Sequence, residues 1–554
     1  MTPFLERALQ VPAFQPSWES VLIWLAPLIA AMGFSWLAPR SASKICAYAE
    51  STWFRLGERR GRAMVLIGAA ALACGLAQVA LVGFPVPRIH DEFSYLLAAD
   101  TFASGRVANP PHPMWVYFET VHVNQQPTYG SIYPPAQGLL LALGKKLGHP
   151  CIGVLLSGVF MCIAVYWMLE PWFPPRWALV GGFWAVALIA FTYWLGSYWG
   201  GAPAAIGGAL TVGAYGRLRR SLRSRSAVAL ATGIGILINS RPFEGLVLAA
   251  TVVAALTWRW RSEPAACLLT LALPGMLVLS VVGALMLYYF WRTTGSPVRM
   301  PYRVYLQDYS GQRMFVWQKQ GPELAYRHES LREVYRRLQR SEMSYLEKLR
   351  ANAKRALWMY FRRLWWLPLL FLPWVVRLPK YGPLLLFGGT VGMTLVLLQW
   401  FHSHYAAPIM GVLIAFTVLG LRLLRLWRRP TGRLIVLVLM GLALVDMAET
   451  AARAFVEGQE RHWADERLRI ERDLSSAGGR HLVIVLYLPG HHPFEEWVYN
   501  GADIDRASVV WAREMKDMDP LLYYFSGHTV WSLTVGAREH QLQPYRRIQT
   551  SRVH

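Results

Sequence analysis

The sequence predicts an α-helical polytopic membrane protein of about twelve transmembrane helices, with amphipathic helices on its exterior face and a small C-terminal α/β domain. Composition is the first observation that predicts this fold class. Hydrophobic residues make up 54% of the 554 residues and charged residues only 16%, whereas a soluble domain carries about 25% charged residues. The second observation is that apolar runs of nearly membrane-crossing length recur along the chain. Disordered, collagen-like and disulfide-rich secreted classes are excluded.

The transmembrane helices are expected where apolar runs approach the roughly 20 residues that cross a bilayer. Several runs are shorter or are interrupted by Gly and Pro, which is typical of a helical bundle with functional breaks. The predicted spans are Val21–Ala38, Ala63–Phe84, Ile152–Leu169, Trp177–Leu195, Ala202–Tyr215, Ala227–Ile238, Phe243–Trp258, Ala265–Phe290, Leu364–Val376, Leu384–Trp400, Ala406–Leu424 and Leu434–Ala448.

Short basic loops predict which side of the bundle faces the cytoplasm. Arginine clusters lie at 55–62, 217–225 and 422–433, between spans one and two, five and six, and eleven and twelve. With twelve spans all three loops fall on one side, which we predict to be cytoplasmic. The exterior side then receives segments 85–150, 292–363 and 402–404, and everything after residue 449.

The formal charge of +23 does not predict nucleic acid as a partner. The positive excess lies among the apolar segments, where basic loops meet anionic lipid, and residues 451–554 carry 13 basic and 14 acidic residues. The expected partner is therefore the bilayer. None of the five Asn begins an Asn-x-Ser/Thr acceptor, which favours a bacterial plasma (inner) membrane.

Three regions are expected along the chain. Residues 1–62 hold the first span and a basic cytoplasmic loop, 63–449 the main transmembrane region, and 450–554 an exterior, periplasmic α/β domain. In that domain alternating charge predicts a helix over 457–474, and β-rich runs between turn residues predict strands at 481–488, 508–513 and 529–535.

The exterior segment 292–363 carries two amphipathic patterns. One apolar face is formed by Leu331, Tyr335 and Leu338, and a second by Leu346, Leu349 and Ala353. We predict helices that lie along the membrane surface; a solvated connector helix is the alternative.

Two adjacent carboxylates, Asp91 and Glu92, open the first exterior loop a few residues after the second span. Ionisable groups at a membrane surface are functional candidates, because they are costly unless they are paired. Consecutive helical residues point about 100° apart, so one carboxylate can act on a substrate while the other holds a neighbour. The alternative for Asp91 is an N-cap of the helix over 92–104.

The motif Tyr133-Pro134-Pro135 follows about 40 residues later and opens a short apolar helix over 139–147. The order of these features resembles the GT-C superfamily of integral-membrane glycosyltransferases, of the protein O-mannosyltransferase and aminoarabinose-transferase type. That order is a span, then Asp-Glu-x-x-Tyr, then a helix opened by Pro-Pro, and then many further spans. The match is best over Asp91–Leu147 and extends loosely to about residue 450. The resemblance implies that region 63–449 is the catalytic region.

The resemblance further implies a polyprenyl-phosphate-linked sugar donor, transfer on the exterior face and Asp91 as the general base that deprotonates an acceptor hydroxyl. Inversion at the anomeric carbon is expected. One departure is that the aminoarabinose-transferase pattern has Lys before Pro-Pro, where this chain has Tyr133. The cation that meets the donor phosphate must then come from elsewhere.

Further site residues are expected among polar groups near the exterior ends of the spans. The catalytic candidates are Asp91 and Glu92, and the candidates for binding donor phosphate or substrate are Tyr95, Tyr133, Gln137, Arg241, Arg303, His402 and His404. The alternative for Arg241 is that its side chain snorkels, which means that it only extends to the membrane interface to keep its charge in water. The sequence assigns no cofactor, but His122, Glu119 and His404 have the chemistry of ligands to a divalent metal ion and are the candidates for that role.

Two other function classes remain open from the sequence. A transporter or lipid flippase would show repeated halves and charges within the spans, and a non-catalytic assembly protein would use the exterior domain to bind a partner. The carboxylates lie in an exterior loop instead, which favours surface chemistry.

Overall fold

The structure is a computed structural model that describes residues 18–319, 321, 324–339, 344–361, 363–375, 377–399, 401–428, 430–460, 462–537 and 539–546. Each predicted span overlaps helical residues in the described part of the chain; Val376 and Trp400, which end two of the predicted spans, lie outside the described residues. Proline stands at the start of many helices, where its fixed φ suits the first turn and its missing N–H is not needed. The helices of the bundle are Trp18–Leu37, Pro39–Gly57, Arg60–Val82, Pro150–Leu169, Pro175–Ile189, Tyr193–Gly196, Ala202–Leu218, Ser224–Ile238, Pro242–Arg259, Pro264–Cys267, Leu268–Ala272, Leu273–Thr294, Arg363–Phe371, Leu372–Val375, Pro379–Tyr381, Gly382–Val396, Ser403–Ile409, Met410–Leu426 and Thr431–Gly458.

Within the described part of the chain, six helical stretches are long and apolar enough to cross a membrane, and one sharply bent pair would make a seventh. The six are Arg60–Val82, Pro150–Leu169, Pro242–Arg259, Pro264–Thr294, Ser403–Leu426 and Thr431–Gly458, and the bent pair joins Trp366–Val375 to Pro379–Val396 at 112°. Shorter apolar helices accompany them. The multi-pass class is therefore confirmed, while the count of twelve stays a prediction.

Close helix packing explains the Gly-rich composition of the bundle. A Cβ added at Gly233 would lie 2.7 Å from the carbonyl oxygen of Gly207 on the neighbouring helix. Only glycine permits this approach, which is the usual device for packing helices where lipid offers no hydrophobic driving force.

The three basic loops meet at one end of the bundle, which we call the basic end. Glu170 pairs with Arg60 at 2.8 Å and with Arg217 at 2.6 Å. Glu50, on the helix Pro39–Gly57, pairs with Arg425 and Arg433, each at 2.8 Å. The predicted common side of these loops is thus confirmed.

Segments 85–150 and 292–363, which we predict to be exterior and name the first and second exterior loops, pack against each other, as hydrogen bonds between them show. Asn124 Nδ2 donates to the Pro301 carbonyl at 3.0 Å, and Thr128 Oγ1 donates to the Thr293 carbonyl at 2.6 Å. The elements of these loops are helices His90–Ala103, Trp115–Phe118, Pro135–Lys146, Pro301–Tyr305, Leu306–Ser310, Glu329–Gln339 and Tyr345–Tyr360, and strands β1 (Val123–Asn124) and β2 (Gly130–Ser131).

The C-terminal region is an α/β unit with one four-stranded sheet in the order β4-β3-β5-β6. Strands β3, β4 and β5 are parallel, and β6 is antiparallel to β5. The three predicted strands are found, whereas β6 was not predicted. The elements are helices Trp463–Ala477 and Asp519–Tyr524 and strands β3 (His481–Tyr487), β4 (Val509–Arg513), β5 (Thr529–Val535) and β6 (His540–Pro544).

This α/β unit and the first exterior loop share one hydrophobic core. Phe93, Phe118 and Tyr129 of the loop are buried in the same cluster as Trp497 and Trp511. The C-terminal unit is therefore packed directly on the loop that carries Asp91.

Candidate active site

The helix His90–Ala103 carries the two predicted carboxylates in its first turn. Ile89 is the N-cap residue, with an extended backbone and no side-chain cap. Asp91 therefore does not cap the helix, and its carboxylate points elsewhere. Both carboxylates still benefit from the positive end of the helix dipole.

Glu92 is buried and holds two backbone segments. Its carboxylate accepts hydrogen bonds from the backbone N–H of Arg88 at 2.8 Å and of Tyr198 at 3.0 Å. Gln137 Nε2 donates to the Tyr198 carbonyl at 2.8 Å, so two predicted site residues fix the same loop. Burial raises the pKa of Glu92 to about 7, although the Arg88 and Tyr198 N–H groups act against this shift.

Asp91 lies in a hydrogen-bonded group with Tyr133 and His122. The Tyr133 hydroxyl donates to Asp91 Oδ1 and lies 3.0 Å from His122 Nδ1. His122 Nδ1 is 3.7 Å from the other carboxylate oxygen. Tyr95 stacks on Tyr133 with ring centroids 4.5 Å apart. Burial, and then the Asp91 charge, raise the pKa of Tyr133 well above its usual value, so this phenol remains a donor.

His122 has a left-handed backbone, with φ of 61°, a conformation that is uncommon outside glycine. The surrounding elements hold it on both sides. Its N–H donates to the Tyr305 hydroxyl at 3.2 Å, and its carbonyl accepts from Ser94 Oγ at 2.7 Å. Burial lowers the pKa of the imidazole despite the nearby Asp91. Strain that the structure enforces at such a position is a mark of functional sites.

Arg241 lies beside the Pro-Pro segment because the two loops are bonded together. The Ala136 N–H donates to the Asn239 carbonyl at 3.0 Å, and the Arg241 guanidinium stacks 3.8 Å from the centre of the Tyr405 ring. The charges of Asp91 and Arg241 both act on Tyr95, Tyr302 and His402. A carboxylate and a guanidinium therefore share one neighbourhood.

His402 and His404 form an aromatic cluster with Trp199, which lies in the loop that Glu92 and Gln137 hold. Their rings stack with centroids 5.7 Å apart, and the His404 ring meets Trp199 edge-on at 4.3 Å. Both ring nitrogens of His404 are buried without a hydrogen-bond partner among the described residues. Burial lowers the pKa of His402 to about 4.

Two predicted residues are placed differently from the rest. Arg303 lies on the short helix beside Tyr302, but its side chain is exposed. Glu119 pairs with Arg327 at 2.9 Å and lies 3.4 Å from His328, so it fastens the two exterior loops.

The possible metal set of His122, Glu119 and His404 does not assemble. In the part of the chain that the structure describes, no group of three or more His, Cys, Asp or Glu side chains could hold a metal ion. The physical reason is that Glu119 is held by Arg327 and His328, His122 contacts Asp91 and Tyr133, and His404 lies in the aromatic cluster.

Tyr499 and His90 are functional candidates that the sequence did not predict. The Tyr499 hydroxyl donates to the Val121 carbonyl at 3.1 Å and lies 2.8 Å from His90 Nδ1. The hydroxyl has one proton, so it accepts from the His90 Nδ1–H. The C-terminal unit thereby contacts the residues that immediately precede both Asp91 and His122.

No protein-family model and no curated protein matches the sequence. Among solved structures, the fold is similar to ArnT from Cupriavidus metallidurans, in the apo state with a TM-score of 0.53 and bound to undecaprenyl phosphate with a TM-score of 0.52. Each is 15% identical and covers 85% of this chain and 92% of that one. ArnT is a GT-C glycosyltransferase.

This chain shares the overall fold of ArnT. A weaker likeness links it to the Archaeoglobus fulgidus oligosaccharyltransferase in complex with Zn and sulfate, with a TM-score of 0.43, 12% identity and coverage of 75% of this chain and 60% of that one. The likeness to ArnT confirms, at the level of the fold, the resemblance found on Asp91–Leu147.

Proposed function

We propose that this protein is a membrane glycosyltransferase that moves a sugar from a polyprenyl-phosphate-linked donor to an acceptor hydroxyl on the exterior face. The observation that carries the proposal is the group of Asp91, Tyr133 and His122 in the first exterior loop. The ArnT structure with a similar fold is bound to undecaprenyl phosphate, which supports the class of donor.

Asp91 is the general base in this proposal. Its side chain is 21% exposed, so one face of the carboxylate is open to an acceptor while Tyr133 occupies Oδ1. The acceptor oxygen attacks the anomeric carbon, its proton passes to Asp91, and the bond from carbon to the phosphate oxygen breaks with inversion. The electron pair leaves on polyprenyl phosphate.

Tyr133 replaces the lysine of the aminoarabinose-transferase pattern and orients the base. A phenol that donates to Asp91 carries no positive charge, so it does not neutralise a leaving phosphate. We assign that role to Arg241, whose charge acts on the same side chains as that of Asp91. His404, with two unpartnered ring nitrogens, is a hydrogen-bond donor for the same phosphate, and His402 and Tyr95 line its surroundings.

The experiment is a transfer assay with the purified chain and a panel of polyprenyl-phosphate monosaccharides. Asp91→Asn should reduce turnover by about 10²–10⁴-fold, because it removes the base while keeping the side-chain volume. The matched control is Asp100→Asn on the same helix, whose carboxylate pairs with Lys145 on the surface; its turnover should stay near native. Donor binding and thermal stability should be unchanged in both variants.

Near-native turnover of Asp91→Asn would refute the assignment of the base. Movement of a lipid-linked sugar across vesicle membranes, without release of polyprenyl phosphate, would instead support the flippase alternative.

A further inference from the structure

A cavity of about 110 Å³ lies at the basic end, remote from the exterior loops. It is lined by the helix Pro39–Gly57, the start of Pro175–Ile189 and the helices on either side of the last basic loop. Its apolar lining includes Trp53, Trp177 and Met440, and its charged lining is Glu50, Arg176, Arg425 and Arg433.

The charged side of the cavity is strongly positive. Glu50 receives two hydrogen bonds from Arg425, both at 2.8 Å, and two from Arg433, at 3.1 and 2.8 Å. Each guanidinium has five N–H donors, and Glu50 takes two from each. These hydrogen bonds hold the pKa of Glu50 below its usual value although burial opposes this. The lining holds three arginines and one carboxylate, so it is rich in positive groups.

The apolar side of the cavity faces the same space. Trp53 and Trp177 lie on two different helices of the wall, and Met440 lies on the last long helix. The side chains of Arg425 and Arg433 remain 20% and 18% exposed. A site with cations beside an apolar wall, at the end of a transmembrane bundle, suits an amphiphile with an anionic head group.

We propose that this cavity binds an anionic glycerophospholipid of the adjacent leaflet. Its phosphate lies on Arg425, Arg433 and Arg176, and the start of an acyl chain lies against Trp53, Trp177 and Met440. The site requires only that the chain is a membrane protein, so it does not depend on the proposed transferase activity.

Native mass spectrometry of the full chain in neutral detergent tests this proposal. Phosphatidylglycerol and phosphatidylcholine of the same chain length are titrated separately, with glycerol phosphate as a soluble head group. The native chain should bind phosphatidylglycerol at least ten-fold more tightly than the other two, because only it combines the net negative charge with acyl chains.

Two variants separate the charged and apolar parts of the site. Glu50→Gln raises the lining charge by one and should tighten phosphatidylglycerol binding about five-fold. Met440→Trp fills the cavity without a change of charge and should weaken binding at least ten-fold. The matched control is Leu444→Trp, one turn along the same helix at a residue that is 64% exposed, which should bind like the native chain.

Equal binding of the two lipids, or binding of glycerol phosphate as tight as that of phosphatidylglycerol, would overturn the proposal. Weaker phosphatidylglycerol binding in Glu50→Gln would also overturn it, because a purely structural ion pair is damaged by that change. Should Met440→Trp fail to fold, the Glu50→Gln comparison and the lipid comparison still decide the question.

Discussion

Asp91 and Glu92 are adjacent in the sequence but have opposite surroundings. Asp91 is partly exposed and bonded to another side chain, whereas Glu92 is 3% exposed and bonded to two backbone N–H groups. The division of roles that helical geometry predicted, one carboxylate toward chemistry and one toward a neighbour, is consistent with these contacts. The catalytic role itself stays a proposal.

Glu92 makes folding stability depend on pH. Burial raises its pKa from 4.5 to about 7, so between these values the unfolded chain has lost a proton that the folded chain keeps. Stability is fully present below about pH 4.5 and falls by about 3 kcal/mol as pH rises to about 7. Glu92→Gln, which cannot ionise, should flatten this part of the curve of melting temperature against pH.

The control for this measurement is Glu329→Gln, a carboxylate that is 71% exposed and should leave the curve unchanged. An unaltered slope in Glu92→Gln would show that Glu92 does not titrate in this range. The same variant should keep more transfer activity than Asp91→Asn, because Glu92 holds the Arg88 and Tyr198 segments and does not contact the substrate in our proposal.

Two substitutions of His122 separate the effect of its backbone strain from the function of its ring. His122→Ala and His122→Gly both remove the imidazole, but only glycine adopts a φ of 61° without penalty. The glycine variant should be more stable by about 1 kcal/mol, while both should lose transfer to a similar degree. Melting temperatures and turnover of the two variants check this. Equal stability would mean that the left-handed conformation carries no strain, and full activity in either would remove the ring from the site.

The elements that the sequence predicted well are those with a strong local signal. The length of the apolar runs predicted the transmembrane helices, and runs rich in β-branched residues predicted β3, β4 and β5. Strand β6 was missed because His540–Pro544 is mostly polar and lies at the sheet edge, where burial does not dictate composition. The predicted helix over 457–474 begins later, at Trp463, because the preceding helix continues to Gly458.

The parts of the site that escaped prediction depend on contacts between distant segments. His90 and Tyr499 are 409 residues apart in the sequence, so no local pattern links them. The same limit applies to Glu496, because adjacent glutamates such as Glu495 and Glu496 are typical of a solvated loop. Its side chain is in fact 3% exposed, paired with Arg513.

Tyr499 connects the C-terminal unit to the helix and the loop that carry the candidate base. Tyr499→Phe keeps the stacking on Phe93, where the ring centroids are 4.1 Å apart, but removes the hydrogen bonds to His90 and Val121. Turnover should fall about ten-fold, because the positioning of Asp91 and His122 loosens, and the melting temperature should fall slightly, because two buried groups lose a hydrogen-bond partner. A fall in kcat without a rise in the KM for the donor would distinguish positioning from binding.

The matched control is Tyr523→Phe in the same unit, since that side chain is 85% exposed. Native kcat in Tyr499→Phe would show that the C-terminal unit does not position the site through this hydroxyl.

At the scale of the whole molecule, two polar clusters lie at opposite ends of an apolar bundle. The basic end is closed by Glu170 and Glu50 with their arginines. The opposite end, which we predict to be exterior and name the exterior end, is closed by the two loops and the C-terminal unit, whose side chains share a hydrophobic core. The exterior unit is thus part of the architecture of the candidate site and not an appendage to it.

Arg513 joins three regions of the exterior end. From the end of β4 its Nε donates to the Glu119 carbonyl of the first loop at 2.6 Å, and Nη1 donates to Ser330 Oγ of the second loop at 2.7 Å. Its third partner is the buried Glu496 carboxylate. Arg513→Met should therefore destabilise the protein strongly, by about 3–5 kcal/mol, because it leaves a buried charge without its partner.

The double variant Arg513→Met with Glu496→Gln tests whether that uncompensated charge is the cause. Neutralising Glu496 should recover part of the lost stability, so the double variant should melt between Arg513→Met and the native chain. Recovery should remain incomplete, because the Glu119 carbonyl and the Ser330 hydroxyl still lack the arginine donor. A double variant that melts no higher than Arg513→Met would show that the loss comes from these two loop contacts alone, and the buried ion pair would then have no part in holding the exterior end together.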